Sequence, residues 1–186
     1  MSNAALNQPL WLAQARAVSA WISSQMAILG GIIMLLLAIM TVVSIIGRAA
    51  FGVAVEGDYE LVEAGLGIAV FLFLPECHLH KGHVVVDIFT GHCSEAVQEK
   101  LEGLGEILFV VASVVLAWRL TIAGFEAYEY LEQSMILEIP LWIVYVPGVI
   151  SMVLVAINAL DRVLQAFFGL PKQTGHDDLE GAGNYE

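Results

Sequence analysis

The chain has 186 residues, 59% of them apolar and 14% charged, with a mean hydropathy of +0.80. A soluble domain is about a quarter charged and under half apolar, so this composition excludes soluble enzymes, disordered regulators, collagen-like fibres and disulfide-stapled modules, and leaves an integral membrane protein. Nineteen acidic residues against seven basic ones give a net charge of -12, which removes the cationic footprint that nucleic-acid binding needs.

In the N-terminal segment, residues 1–24, Trp11, Ala15, Val18 and Ile22 recur at helical spacing on one side. This stretch either lies along the headgroup layer as an interfacial helix or extends the first span. Residues 26–46 carry no charge and are long enough to cross ~30 Å of hydrocarbon; they exceed the core of a signal peptide and are expected to be retained. A second span is expected over 59–77, with Glu63 inside it and Pro75 in its last turn, where a missing N–H costs least. The third, 104–123, has Glu106 near one end and Arg119 near the other, and the fourth, 139–157, is free of charge apart from its flanks. The expectation is an all-α, four-helix, up-down membrane domain over 25–168, followed by a disordered, Gly- and acid-rich tail over 169–186.

Basic residues are retained on the cytoplasmic side. With the N-terminus inside, Arg16, Lys81, Lys100, Arg162 and Lys172 fall on the inner side and only Arg48 and Arg119 on the outer one, which favours N-in, C-in. The outer connections then carry Glu56, Asp58, Glu60, Glu126, Glu129, Glu132 and Glu138, an anionic face suited to docking.

Charges at membrane depth are candidates for function. Arg48, Glu60, Glu63 and Arg119 are expected at similar depth near the outer interface, either paired across helices or reaching separately to water. Glu106 has no obvious partner in the chain and is expected to meet another subunit or the inner interface. Cys77, His78, His80, His83, Asp87, His92 and Cys93 carry metal-ligand chemistry, but their irregular spacing argues against a closed zinc site and for solvated or headgroup-contacting histidines. A Cys77–Cys93 disulfide is disfavoured on a reducing side. The chain has no phosphate-cradling loop, no selectivity-filter motif, no nucleophile beside a base, and no repeat of the kind that marks a complete transporter. An accessory subunit without enzymatic activity or cofactor is the reading that remains.

Three blocks resemble the small membrane subunit of tripartite ATP-independent periplasmic (TRAP) transporters, the DctQ-like proteins. Gly47-Arg48 with Phe51, followed by Tyr59-Glu60-Leu61, is similar to the close of the family's first helix and the opening of its second. Gly82-His83-Val84-Val85-Val86-Asp87 resembles its Gly-His-x-x-x-Asp segment. Ser134, Leu137, Ile139-Pro140-Leu141-Trp142 and Val146-Pro147-Gly148 resemble the pattern that leads into its fourth helix, whereas Leu74-Pro75-Glu76 and the run around His78 and His80 depart from it.

Physical readings accompany the match. Pro140 is expected in the first turn of the fourth helix, Pro147 to kink it, and Gly148 to permit close approach, either within the bundle or to a partner. His83 and Asp87, four apart, would share a helical face. The resemblance implies a scaffold in a prokaryotic inner membrane, partnered by a large transport subunit and a periplasmic binding protein, in a sodium-driven importer of organic acids such as C4-dicarboxylates. Other classes of function remain alongside it: a membrane redox or metal-binding subunit using the His/Cys loop, and a stand-alone small membrane regulator.

Overall fold

The computed structural model describes residues 10–80 and 95–168, and side chains within 14–80 and 103–165. The described chain is helical throughout: α1 spans Leu10–Phe51, α2 Asp58–His80, α3 Glu95–Glu129 and α4 Trp142–Phe168. Each contains a segment long and apolar enough to cross a membrane, and no strand is present among the described residues beyond one isolated bridge, Gln133 with Pro140. The protein is therefore an all-α, multi-pass membrane protein.

The N-terminal stretch and the first span form one helix of 42 residues, about 63 Å at 1.5 Å per residue and so well beyond the thickness of a bilayer. The helices run antiparallel in sequence but do not close into a ring. α2 packs against α1 and α4, α3 packs mainly on α4, and α1 touches α4 at only a few positions. The spatial order is thus α1, α2, α4, α3, a row whose two edges are α1 and α3.

Small residues set the seams, because helices in lipid gain from close approach rather than from expelling water. A Cβ on Gly148 of α4 would lie 3.3 Å from Phe71 of α2 and 3.4 Å from Leu120 of α3, so its bare backbone admits both neighbours. Ser151, Met152, Val155, Asn158 and Ala159 continue the same buried stripe along α4, the most enclosed of the four helices. On the outside, α1 and α3 expose long runs of Ile, Leu and Val, as a surface facing acyl chains or another membrane protein must.

Two of the three prolines whose positions were anticipated sit differently. α2 continues to His80, so Pro75 is inside the helix and fully buried rather than in its last turn. Its missing N–H leaves the Phe71 carbonyl without an intrahelical donor, and the Ser151 hydroxyl of α4 donates to that oxygen instead. Pro140 precedes α4 and pairs with Gln133 at a position where the ladder bonds belong to its neighbours: Ser134 N to Ile139 O and Leu141 N to Glu132 O, both 3.0 Å. A residue without an N–H loses nothing there. Pro147 does lie inside α4.

Candidate functional site

At the end of the row that holds the α1–α2 and α3–α4 connections, two carboxylates organise the turns. Asp58, in the first turn of α2 where negative charge suits the helix dipole, accepts from the Ser44 hydroxyl at 2.6 Å and from Arg48 at 3.3 Å. Glu60 accepts from the Ile136 N–H at 2.9 Å, the Leu137 N–H at 3.0 Å and the Ser134 hydroxyl. One side chain from α2 thereby holds the whole segment before α4. Gly57 completes the joint: its φ of +73° is left-handed, and a Cβ there would come within 2.5 Å of the Leu137 side chain. Leu131, at φ +52°, occupies the position after α3 that glycine usually takes, with Glu132 N reaching back to Ala127 O and Leu131 N to Tyr128 O.

These contacts differ from the pairing anticipated among Arg48, Glu60, Glu63 and Arg119. Arg48 goes to Asp58 and Glu60 to backbone and hydroxyl donors, because the turn brings residue 58 rather than 60 back over the end of α1. Glu63 and Arg119 are exposed, with no hydrogen bond or ion pair among the described residues. Of the seven acidic residues expected to form a docking face, Asp58 and Glu60 are thus engaged internally, whereas Glu56, Glu126, Glu129, Glu132 and Glu138 are exposed. Trp142, at the start of α4, meets Tyr128 edge-on at 6.1 Å.

At the opposite end, where α1 begins and α4 finishes, two ion pairs tie the helices together. Arg16 and Asp161 form a two-pronged contact, Nε to Oδ2 and Nη2 to Oδ1 each 2.8 Å, and Gln165 donates to the same carboxylate at 2.6 Å. Arg162 donates to Glu106 at 3.2 Å and to the Leu79 carbonyl at the end of α2 at 2.6 Å. Glu106, expected to lack a partner in its own chain, therefore has one, supplied by a residue 56 positions away.

His78 joins this group and is not solvated. Its side chain is 6% exposed, packs 5.0 Å from the Phe109 ring, and places Nε2 3.2 Å from Glu106 without a hydrogen bond between them. His80 instead sits at the surface, 3.0 Å from Glu76 one turn earlier. Asn158, one turn before Arg162 on α4, has a buried amide nitrogen with no hydrogen-bond partner among the described residues.

His83, Asp87, His92 and Cys93 of the His/Cys group lie outside the described residues. Among the described residues no three potential metal ligands converge, and Cys77 is exposed. Sequence reasoning passed over Arg16, Asp161, His78, Ser44 and Ser151 as partners. The available signals were Asp161-Arg162 closing an apolar run, and a serine within an otherwise apolar fourth span that also faces an interrupted helix. Chemically, the geometry fastens helices: each buried charge described above meets a partner on another helix or its connection.

A family model described as "Tripartite ATP-independent periplasmic transporters, DctQ component" matches residues 37–169. No curated protein and no solved structure matches the chain.

Proposed function

The chain belongs to the DctQ component family of tripartite ATP-independent periplasmic transporters, and from that premise we propose that it is the stationary brace of a sodium-coupled importer of organic acids. As a small TRAP subunit it works in a membrane complex with a large subunit and a binding protein. In the proposed division of labour the large subunit carries substrate and sodium, C4-dicarboxylates or related carboxylates are the cargo, and this chain holds the large subunit's static part. The membrane is a prokaryotic inner membrane, and both termini are cytoplasmic, as the distribution of Lys and Arg favours.

The observation that carries this reading is that the described helices are locked at both ends, by Glu60 against the Ser134–Leu137 backbone and by Arg16–Asp161 and Arg162–Glu106. Polar groups committed to fastening are unavailable to bind or relay a solute, and a body held at both ends resists the motions a carrier needs. Glu56, Glu126, Glu129, Glu132 and Glu138 would face the periplasm and receive the loaded binding protein through long-range attraction.

Reconstitution tests the first half. Vesicles containing this chain alone should take up no organic acid under a sodium gradient, and vesicles containing it with the large subunit and the loaded binding protein should. Uptake by the isolated chain would overturn the reading. For docking, neutralising Glu126, Glu129 and Glu132 together should raise the concentration of binding protein needed for half-maximal uptake, most clearly at low salt, because exposed charges are screened within ~8 Å at physiological ionic strength. An unchanged requirement at low salt would remove the docking role.

A further inference from the structure

Towards the end of the row where α1 begins and α4 finishes, three buried side-chain atoms have no hydrogen-bond partner among the described residues: Nε2 of His78, Oε2 of Glu106 and Nδ2 of Asn158. The His78 side chain is 6% exposed and Asn158 is 4% exposed. A polar atom taken from water and given nothing in exchange is unfavourable, and the hydrocarbon around the helices offers no substitute partner.

The three atoms belong to three helices and converge. Nε2 of His78 on α2 is 3.2 Å from Oε2 of Glu106 on α3. Two independent registers bring Asn158 of α4 to the same place. α2 and α4 run in parallel, and Ser151 of α4 bonds to the Phe71 carbonyl of α2. Asn158 and His78 each stand seven residues further on, so they are level with one another, about 10 Å beyond that bond. Seven residues are close to two full turns, so each also returns to the side of its helix that carries the contact. α3 and α4 run antiparallel: Gly124 meets Tyr145, Leu120 meets Gly148 and Glu106 meets Arg162, which sets Asn158 against Val110, beside Phe109. The Phe109 ring is the one on which His78 packs, 5.0 Å away. One turn further along α4, the Arg162 guanidinium takes the other oxygen of Glu106 and the Leu79 carbonyl.

The three atoms are complementary to one kind of molecule. An amide NH₂ only donates, a carboxylate oxygen only accepts, and an imidazole nitrogen does either according to its tautomer. An anion would be opposed by Glu106, a cation by the Asn158 amide hydrogens, and an apolar molecule would satisfy none of them. We propose that His78, Glu106 and Asn158 hold a buried water molecule, which accepts from the Asn158 amide, donates to Oε2 of Glu106 and bonds to Nε2 of His78 with its remaining capacity. About three partners is the usual complement of a buried water, and an enclosed polar position is where such waters are retained. α2 and α3 are not neighbours in the row, so the water gives them a polar link alongside α4.

The test uses the full chain, labelled with nitrogen-15 in asparagine and histidine, in bilayers of deuterated lipid and ordinary water. Magnetisation transferred from water should reach the Asn158 side-chain amide and the His78 ring at the shortest mixing times, and Asn158→Leu should abolish the transfer to His78. Absence of transfer to Asn158 in the unmodified chain overturns the proposal. In detergent, Asn158→Leu should raise the unfolding constant about fivefold, as loss of a hydrogen bond does. A constant that falls or stays the same would mean a dry site whose amide was already unpaired, and overturns the proposal as well. Exchanging sodium for potassium should leave the unfolding midpoint of the unmodified chain where it is; a midpoint that follows sodium concentration would assign the position to a cation in place of water.

Discussion

Ser151 on α4 donates its hydroxyl proton to the carbonyl of Phe71 on α2, the acceptor that position 75 would serve if it were not proline. The proline opens a gap in one helix and the serine of its neighbour closes it, so the break in α2 becomes a bond between α2 and α4. The pairing gives Pro75 a role that its own helix does not explain: it makes an acceptor available to the next helix.

The double-mutant cycle is direct. Ser151→Ala should cost about 1 kcal/mol in thermal or denaturant unfolding in detergent, the usual size of a hydrogen bond between membrane helices. In a Pro75→Ala background, where residue 75 supplies its own N–H to Phe71, the same serine change should cost close to nothing. Equal cost in both backgrounds would show that the serine acts through packing alone.

Glu60→Gln keeps the shape of the side chain but halves its accepting capacity and removes its charge. Amide exchange at Ile136 and Leu137 should accelerate about tenfold or more while exchange in the middle of α4 stays slow. Unaltered exchange at those two amides would mean that the segment is held by the Gln133–Pro140 bridge and not by the carboxylate.

Gly57→Ala meets two obstacles, a left-handed backbone that costs an L-residue about 1–2 kcal/mol and the Leu137 side chain in the space a Cβ would take. Stability of the full chain should fall by that amount or more, and adding Leu137→Ala should recover only the steric part. Full recovery would place the cost in the clash and none of it in the backbone.

At the other end, Asp161→Asn should destabilise the protein by about 3 kcal/mol, since it removes the charge opposite an arginine that is only 10% exposed. Replacing both partners, Arg16→Met with Asp161→Leu, should cost far less, because no buried charge is then left unpaired. Unfolding midpoints of the two variants in the same detergent decide the matter.

Much of the architecture was legible in the amino-acid order. Four apolar runs of about 20 residues announce four crossings, because lipid leaves a backbone no other way through. Rotation of each helix about its own axis was not legible, and it decides who meets whom. Depth alone made Arg48 and Glu60 look like partners; the turn through Gly52 and Gly57 delivers Asp58 instead. Glu106 looked solitary because its partner Arg162 lies across a helix seam that no local spacing encodes. Pro140 was assigned to a helix because proline favours first turns, yet a bridge position that asks for no N–H suits it equally.

The linear order of the helices has a geometric outcome. A ring of four has no beginning and no finish, and admitting a fifth member means prying two apart. A file that starts at α1 and stops at α3 can lengthen at either extremity while its internal joints, Arg16–Asp161 and Ser151–Phe71 among them, stay shut. Assembly then proceeds by annexation and leaves the existing fold undisturbed.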